Sequence, residues 1–313
     1  MDKPLVAVFM VTYNHEKYIS QAIKSVLEQK TSFPIKLFIG EDCSNDKTRD
    51  ICIDYFLSNP GRIKLFLNEI NIGGTKNSLQ VYQACLLSGA KYIAMLEGDD
   101  YWTDPYKLQK QVDFLEAHPD FSMTFGNALI EDHTGKYRRQ GLYIKRNEPE
   151  VILPEMAIEL GLPTLTMVFR NNIQIPEWYN NVISGDYFLR LILSTKGNFY
   201  YHGEVFGIHR KHISGISRMT DKTKWVLNTA ENLKCFYSIC KESQKKQIKV
   251  KIIWYKLYAF FRLLNKKKII PSIKLFIEII FSGYFYTRLN LGTFRLLFRE
   301  VVIKKDDNIL DIF

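Results

Sequence analysis

Residues 5–14 read LVAVFMVTYN, a near-continuous apolar run closed by three polar side chains. Such a run is typical of a parallel strand that is buried on both faces of a sheet. The residues that follow predict an amphipathic helix, because apolar side chains recur there at helical spacing. They are Ile19, Ala22, Ile23, Val26 and Leu27. The segment therefore predicts a strand followed by a helix that packs on it.

The same strand–helix unit repeats along the first hundred residues. The apolar patterns predict further strands at 35–39, 63–67 and 92–96, and helices at 44–57 and 75–87. Strands that alternate with helices are joined by crossovers and lie parallel in one sheet. The fold class predicted is α/β, with a Rossmann-like, mostly parallel sheet flanked by helices.

Weaker patterns follow this region. Asp104 and Pro105 predict a helix start, with aspartate as the N-cap and proline at the first helical position. We expect strands at 121–125, 165–169 and 199–206, and helices at 154–160 and 187–193. Residues 131–150 are charged and weakly patterned, which favours a loop or an exposed hairpin that acts as a mobile cover for a cleft.

Composition and charge suggest two parts of different character. The chain has 313 residues, of which 46% are hydrophobic and 24% charged, and this balance excludes a disordered protein. The net charge is +10, and residues 241–313 hold 16 of the 43 basic residues but 6 of the 33 acidic ones. The basic excess is therefore C-terminal. We predict a catalytic domain at 1–220 and a basic, amphipathic helical extension at 221–313.

The cysteines and the N-terminus favour a cytoplasmic protein. Five cysteines are an odd number, and none is spaced as in a zinc site, so reduced thiols are expected. The N-terminus lacks the pattern of a secretory leader. Charged residues interrupt even the most apolar C-terminal segment, so we predict no membrane-spanning helix there.

Polar residues follow each of the first four predicted strands. In open parallel sheets ligands bind beyond the carboxyl ends of the strands, so these residues are candidates for a binding site. They lie at 12–14, 41–46, 68–77 and 97–100.

Three carboxylates, Glu97, Asp99 and Asp100, stand within four residues after the fourth strand. Like charges so close repel each other unless a cation lies between them. Oxygen ligands favour Mg²⁺ or Mn²⁺ over zinc, and such ions often take further oxygens from a phosphorylated substrate. The alternative is a solvated acidic turn before a helix, where aspartate is favoured in any case.

Four segments together resemble the successive signatures of family-two glycosyltransferases with the GT-A fold. They are residues 8–14 (VFMVTYN), 41–48 (EDCSNDKT), 71–74 (NIGG) and 97–100 (EGDD), and the resemblance covers residues 4 to about 217. It implies an inverting, metal-dependent enzyme of bacterial surface-polysaccharide synthesis that uses a UDP- or dTDP-sugar as donor.

The resemblance also implies roles for individual residues. It places Thr12, Tyr13 and Asn14 at the nucleotide and Asp42 at the edge of its base. Lys76 and Asn77 would approach the same nucleotide. Asp99 and Asp100 match the metal-binding acids of the family, and the implied cofactor is Mn²⁺ or Mg²⁺. Asp100 is expected to contact the metal more directly, and Asp99 is also expected to contact the nucleotide.

Asp186, in the stretch Ser184-Gly185-Asp186-Tyr187, matches the acid that acts as catalytic base in inverting members. An aspartate chosen only for the helix dipole is the alternative.

Residues 209–212 (HRKH) fall where members carry a Tyr-Arg-x-His motif, so Arg210 is expected at the phosphates and His212 at the metal. A basic, solvated loop is the alternative. Trp102 and Trp178 are expected either to stack on a sugar ring or to pack in the interior.

These roles together describe a single displacement from a nucleotide-diphosphate sugar to a saccharide or a lipid-linked saccharide. One rival is a sugar-phosphate nucleotidyltransferase, but no glycine-rich GxGxR loop follows the first strand. The other rival is a sugar-nucleotide-binding scaffold without turnover.

The C-terminal region interleaves basic residues with aromatic and aliphatic ones. Such a pattern in 241–313 is typical of a segment that lies on an anionic membrane, where it would hold a peripheral enzyme beside a lipid-linked acceptor. The alternative is a helical packing or homo-oligomerisation region. Nucleic acid is not expected as a partner, because no nucleic-acid motif accompanies the charge.

Overall fold

The structure is a computed structural model, and it describes residues 5–131, 137–139, 148–212 and 221–281. The chain forms two compact units. The first comprises Met1–Leu153, Leu160–Ile175 and Lys196–Ile213, and the second comprises Pro154–Glu159, Pro176–Thr195 and Ser214–Phe313. The sequence-based division at residue 220 stays a prediction. Grouped by their contacts within the chain, segments 154–159 and 176–195 belong to the same unit as the C-terminal helices.

The first unit contains a sheet of ten strands with helices between them. Its first half is β1 (Val6–Thr12), α1 (Ile19–Leu27), β2 (Ile35–Glu41), α2 (Thr48–Ser58), β3 (Ile63–Leu67), α3 (Gly74–Leu86), β4 (Tyr92–Met95), β5 (Tyr101–Trp102) and α4 (Lys107–Ala117). Its second half is β6 (Phe121–Glu131), β7 (Tyr137–Arg139), β8 (Glu150–Ile152), a 3₁₀ helix at Thr164–Thr166, β9 (Val168–Arg170) and β10 (Asn198–Arg210).

The strand order is β3-β2-β1-β4-β9-β6-β10-β5, with β7 beside β6 and β8 beside β10. Strands β1 to β4 are parallel, as the alternating pattern predicts, and β1 pairs with β2 from Val6 and Ile35 to Thr12 and Glu41. β9 runs antiparallel between β4 and β6. The predicted α/β class with a mostly parallel sheet flanked by helices is confirmed.

The core explains why β1 is apolar without alternation. Val6, Val8 and Met10 pack in a cluster with Ile19 and Ile23 of α1, and all five are fully buried. Ala7 and Phe9, which alternate with them along the strand, are also buried. A strand covered on both faces therefore reads as a continuous apolar run.

Two helix starts differ from the sequence-based boundaries. α2 begins at Thr48, not 44, because Ser44 and Asp46 bind the loop after β1 through hydrogen bonds to the amides of Asn14 and Glu16. α4 begins at Lys107, because Asp104 instead closes a turn by accepting the amide of Tyr106 at 2.8 Å.

The second unit is helical. It contains 3₁₀ helices at Pro154–Ile158 and Glu177–Asn181, followed by α5 (Gly185–Ser194), α6 (Lys222–Tyr237), α7 (Glu242–Asn265) and α8 (Ile269–Phe281). Asp221 caps α6 by accepting the amides of Thr223 and Lys224. The buried Gln244 amide donates to the Pro154 carbonyl and to Ser194 Oγ, which fixes the start of α7 within this unit. Among the described helices, none combines the length and the apolarity needed to cross a membrane.

The predicted cover at 131–150 lies mostly outside the described residues. Within it, β7 pairs antiparallel with the end of β6, which is the hairpin that the sequence favoured as one of two possibilities. β8 pairs antiparallel with β10.

Candidate active site

The carboxyl ends of the four parallel strands lie side by side at one edge of the sheet. Backbone hydrogen bonds join the segments that follow them. The Asp42 amide donates to the Thr12 carbonyl at 3.2 Å, and the Gly98 amide donates to the Val11 carbonyl at 3.0 Å. The predicted polar residues of segments 12–14, 41–46, 68–77 and 97–100 thus share one edge, to which His15 and Glu16 also belong; we call this edge the rim.

Gly98 allows the acidic segment to lie directly against β1. A Cβ atom at this position would lie 2.8 Å from both Cβ and Oγ1 of Thr12, closer than side chains tolerate. Glycine is therefore required for this close approach of the backbone. The approach brings Asp99 next to the loop that follows β1.

Asp99 lies between two histidines. Its Oδ2 atom is 2.9 Å from Nε2 of His212 and 3.9 Å from Nε2 of His15. One ligand atom from each of the three residues lies within 4.8 Å of the others. Sequence reasoning predicted Asp99 and His212 but missed His15. The available signal was its position, since His15 directly follows the polar residues that end β1.

The loop after β1 holds His15 in place. Its backbone amide donates to Thr48 Oγ1 at 2.7 Å, and its Nδ1 atom lies 3.2 Å from Thr12 Oγ1. The ring therefore presents Nε2 to Asp99. Asn14 makes the turn possible with a φ of 55°, a conformation that asparagine tolerates better than most residues.

Asp100 faces a different set of partners. Its Oδ1 accepts the backbone amide of Arg210 at 2.8 Å, and its Oδ2 lies 3.1 Å from Nδ1 of His209. The residue is 2% exposed. Of the two acids predicted at the metal, Asp99 thus faces His15 and His212, whereas both oxygens of Asp100 are engaged at the end of β10.

Arg210 lies beside this cluster with its guanidinium held on several sides. Nε donates to Glu131 at 3.1 Å, Nη1 donates to the Asp99 carbonyl at 3.0 Å, and Nη2 donates to Gln21. The guanidinium also lies 4.4 Å from the ring centre of Tyr101. The positively charged guanidinium of Arg210 is therefore held next to the backbone of Asp99.

Electrostatics differ between the two acids. Burial pushes the pKa of Asp99 upward, but the hydrogen bond from His212 and the nearby imidazoles outweigh burial, so its pKa lies below the usual value. Burial raises the pKa of Asp100. Burial lowers the pKa of His209, but the hydrogen bond and the negative charge of Asp100 outweigh this effect, so the pKa of His209 lies above its usual value. The Asp100–His209 pair therefore favours holding a proton, while Asp99 favours the charged form. Burial lowers the pKa of His15, which favours the neutral imidazole that binds metals.

Asp42 closes the loop before α3. It accepts hydrogen bonds from Asn68 Nδ2, the Ile72 amide and the Gly73 amide, each at 2.9 Å, and is 2% exposed. A carboxylate offers about four acceptor positions, so one remains for a ligand. The role of Asp42 at the base of a nucleotide stays a prediction.

The other predicted nucleotide residues lie on or near the rim. Tyr13 is 38% exposed, and Lys76 is exposed in the first turn of α3. Asn77 is buried, and its side-chain amide donates to the Gly40 carbonyl at 2.9 Å. Asn77 thus holds α3 against the end of β2.

Asp186 lies in the second unit, in the first turn of α5. The residues before it are fixed there: Tyr179 donates its hydroxyl to the Gly185 carbonyl at 2.7 Å, and Ser184 Oγ accepts from Trp225 Nε1 at 2.5 Å. An acidic side chain in the first turn of a helix also interacts favourably with the helix dipole. Trp178 is half-buried against Phe188 in the same unit, with ring centres 5.6 Å apart.

Trp102 belongs to the interior of the first unit. It is 4% exposed, its Nε1 donates to the Leu165 carbonyl at 2.6 Å, and Lys107 Nζ lies 4.1 Å from the centre of its ring. Of the two expectations for this tryptophan, the structure supports packing.

The residues at the rim fit a divalent metal ion. Two imidazoles and one ionised carboxylate converge, and their side chains are between 12% and 20% exposed, so that a ligand can reach them. His15, Asp99 and His212 are the residues that would hold the ion.

Comparison with known proteins identifies the family. The family model described as "Glycosyl transferase family 2" matches residues 7–178. An uncharacterized protein of Mycobacterium tuberculosis is 30% identical over 70% of this chain, and the chain spans 63% of the length of that relative. The UDP-Glc:alpha-D-GlcNAc-diphosphoundecaprenol beta-1,3-glucosyltransferase WfgD of Escherichia coli is 28% identical over 63% of this chain and 73% of its own length.

Solved structures share the fold. Residues 1–349 of TarS from S. aureus align with a TM-score of 0.62 at 17% identity, covering 89% of this chain and 82% of TarS 1–349. The mannosyltransferase PcManGT from Pyrobaculum calidifontis, solved with GDP-Man and Mn²⁺, aligns with a TM-score of 0.54 at 12% identity, covering 98% of this chain and 89% of its own. The GT-A fold implied by the sequence motifs is confirmed.

Proposed function

The chain belongs to glycosyltransferase family 2, and we propose on that basis that it transfers a sugar from a UDP- or dTDP-sugar to a saccharide or lipid-linked saccharide. The observation that carries this proposal is the convergence of Asp99, His15 and His212 beside the guanidinium of Arg210 at the rim. A negatively charged diphosphate is the ligand that such a combination of metal-binding groups and fixed positive charge suits. The WfgD relative, whose name includes a UDP-sugar donor and a diphosphoundecaprenol acceptor, supports the same classes of substrate.

Each proposed role follows from a side chain already described. Arg210 stabilises the diphosphate as negative charge develops on it. A divalent ion, Mn²⁺ or Mg²⁺, supplies further charge neutralisation when it is bound by Asp99 and His212. PcManGT, solved with Mn²⁺, supports the use of a metal in this fold.

Asp186 is the proposed base. It accepts the proton of the acceptor hydroxyl while the acceptor oxygen bonds to the anomeric carbon. The bond from that carbon to the diphosphate breaks, and its electron pair leaves with the diphosphate. Attack from the face opposite the leaving group inverts the anomeric configuration. General-base catalysis typically contributes about 10²- to 10⁴-fold to the rate.

Two experiments test this function. Thermal melting of the full chain with UDP, dTDP and GDP, each with and without Mn²⁺, tests donor binding, because a ligand of the native state raises the melting temperature. We expect the uridine or thymidine diphosphate to raise it most. If no nucleoside diphosphate raises it in the presence of metal, the donor assignment is wrong.

The second experiment separates an enzyme from a binding scaffold. Asp186→Asn is expected to reduce transfer or donor hydrolysis about 10²- to 10⁴-fold while the affinity for UDP stays unchanged. Asp50→Asn, an acid in the first turn of α2, is a matched control that should retain full activity. Equal turnover by Asp186→Asn and the parent chain would remove Asp186 from the mechanism.

We also propose a membrane role for the C-terminal helices, now narrowed to α8. The aromatic and aliphatic residues of α7 that suggested a membrane surface are buried by packing within the second unit. They include Ile252, Ile253, Tyr255, Tyr258 and Phe261. In α8, by contrast, one face is apolar and exposed: Ile269, Ile270, Ile273, Phe276 and Ile277.

Exposed lysines flank the apolar face of α8. Lys266, Lys267 and Lys268 precede the helix and Lys274 lies on it. An apolar face bordered by lysines suits the surface of an anionic bilayer, where each lysine contributes about 1 kcal/mol. Residues 282–313 of the predicted basic tail lie outside the described part of the chain.

Co-sedimentation with vesicles tests this role of α8. The full chain should sediment with vesicles of anionic lipid and not with neutral ones, and Ile270→Glu with Ile273→Glu should abolish binding. Leu87→Glu replaces an equally exposed apolar residue elsewhere and is the control. If the double variant binds normally, α8 is not the membrane surface. A change in its oligomeric state would instead support the homo-oligomer that was the alternative.

A further inference from the structure

We propose that Trp225 and Asn228 of α6 are positioning residues, which hold the loop before α5 so that Asp186 is presented in one fixed place. This inference rests on the proposed function, in which Asp186 is the base. It gives α6, which lies in the predicted C-terminal extension, a part in the reaction.

The loop at residues 181–185 is tied to α6 by hydrogen bonds to its backbone. The Ile183 amide donates to Asn228 Oδ1 at 3.0 Å, and Asn228 Nδ2 donates to the Asn181 carbonyl at 2.8 Å. Backbone groups of an irregular segment need such partners to hold one conformation. One side chain of α6 therefore fixes the course of the chain just before Asp186.

Trp225 fixes the residue from which α5 starts. Its Nε1 donates to Ser184 Oγ at 2.5 Å, and because an indole nitrogen is a donor only, the hydroxyl accepts. A serine at the N-cap ordinarily accepts a helix amide instead, which contributes about 0.5–2 kcal/mol. Within the described part of the chain, Ser184 makes no such side-chain cap on α5. The bond to α6 thus replaces the usual cap, a departure from local preference that is expected at functional sites.

α6 is a rigid support for these two side chains. Trp225, Asn228 and Asn232 share one face, because they follow each other at helical spacing. Asn232 Nδ2 donates to Asn228 Oδ1 at 3.1 Å, so this oxygen meets two donors and the orientation of the Asn228 amide is fixed. The ring of Trp225 packs edge-to-face on Tyr255 of α7, with ring centres 5.7 Å apart. The start of α5 is therefore held by two packed helices.

The position of Asp186 matters because a general base must lie within hydrogen-bond reach of the proton that it accepts. Asp186 is exposed, and it follows Ser184 by two residues in the first turn of α5. A misplacement of about 1 Å can cost about 10²-fold in rate. Releasing the loop from α6 should therefore lower kcat without changing donor binding.

The experiment measures hydrolysis of a nucleotide sugar by the full chain. The probe is UDP-glucose, UDP-GlcNAc or dTDP-rhamnose, whichever raises the melting temperature most. Asn228→Ala removes both bonds to the loop backbone, and Trp225→Phe removes only the indole donor. We expect kcat to fall about 10- to 100-fold for Asn228→Ala and about 10-fold for Trp225→Phe, while the affinity for UDP stays that of the parent chain.

Gln244→Met is the matched control for stability. It removes the hydrogen bonds that the Gln244 amide donates to the Pro154 carbonyl and to Ser194, at the other end of α5. This variant should lower the melting temperature of the same unit and yet retain kcat at temperatures where it is folded. Loss of stability is thereby separated from loss of positioning.

Combination with Asp186→Asn shows whether Asn228 acts through the base. Substitutions of residues that act as one unit are not additive. On the Asp186→Asn background, Asn228→Ala should cause no further loss of rate, because the base that it positions is gone. A merely structural role would lower the rate by the same factor in both backgrounds. Likewise, Trp225→Phe with Ser184→Ala should lower kcat no more than either change alone.

The outcomes separate this inference from the proposed function. If Asn228→Ala keeps the kcat of the parent chain, or lowers the rate equally with and without Asp186→Asn, the inference is overturned and the base assignment stands. If Asp186→Asn turns over as fast as the parent chain, the base assignment fails and the inference fails with it. If the parent chain hydrolyses none of the three nucleotide sugars and none raises its melting temperature, the proposed function itself is wrong.

Discussion

Replacing Asp42 by asparagine tests how strongly the rim depends on one buried carboxylate. In the structure Oδ1 accepts hydrogen bonds from Asn68 and Ile72, and Oδ2 accepts one from the Gly73 amide. Asparagine keeps one acceptor oxygen but places an NH₂ donor where the second oxygen was. The best orientation of the amide therefore retains the two bonds at Oδ1 and loses the bond from Gly73.

The magnitude follows from these three bonds. A hydrogen bond to a charged group contributes about 1.5–3 kcal/mol, and bonds to a neutral acceptor are roughly half as strong. Gly73 keeps Asn71 Oδ1 as a second acceptor at 3.0 Å, which reduces the loss at that amide. Weakening of the two retained bonds adds to it. We expect the free energy of unfolding to fall by about 2–3 kcal/mol.

Urea unfolding of the full chain, followed by circular dichroism, measures this change, and Asp54→Asn is the control. Asp54 is exposed on α2, so the identical substitution there should alter stability by less than about 0.5 kcal/mol. The affinity for UDP is then measured under conditions where the variant is folded. An unfolding midpoint for Asp42→Asn that coincides with that of Asp54→Asn would refute the reasoning about the loop.

Three further perturbations have expected outcomes. Burial lowers the pKa of His202 to about 4, so protonation of this side chain favours the unfolded chain. The free energy of unfolding should therefore be highest above about pH 6.5 and fall by about 3 kcal/mol as the pH drops toward 4. In urea unfolding, His202→Phe should remove this part of the pH dependence. Gly197→Ala should lower the melting temperature, at a cost of about 1–3 kcal/mol, because the added Cβ would lie 2.5 Å from the Asp120 carbonyl oxygen and 2.9 Å from the Ser122 amide. Unchanged melting would show that β10 can move away from that turn. Arg210→Lys should weaken UDP binding about 10-fold or more in calorimetry, since lysine cannot reproduce the fork that binds Glu131 and the Asp99 carbonyl; equal affinity would mean that only the charge matters.

Part of the rim could be predicted because its placement follows from topology. Polar residues that end successive parallel strands must meet at one edge, and Thr12, Asp42 and Asp99 do so. The side-chain partners within the rim could not be predicted in the same way. Asp99 and His212 are 113 positions apart, and the antiparallel pairing of β10 with β5, in which Ile208 lies opposite Tyr101, brings them together.

The sequence pattern of α7, in the second unit, likewise does not predict what the helix packs against. Its interleaved basic and aromatic residues are compatible with a membrane surface and with a packed interior, since both remove apolar area from water. Burial of Tyr258 and Phe261 decides for packing, whereas Ile270 of α8 is 82% exposed. A periodic pattern predicts that one face of a helix is buried, but only the tertiary contacts show which part of the protein covers that face.

The sequence by itself determined the alternation of strands and helices, the parallel arrangement of the first strands and the edge where their polar residues gather. Each of these follows from local apolar periodicity and from the chirality of crossover connections. The tertiary structure alone decided that Asp99 faces His15 and His212 while Asp100 faces His209 and the Arg210 amide. Adjacent residues point in different directions, and which of them meets a distant histidine depends on how the ends of β1, β4 and β10 lie in three dimensions.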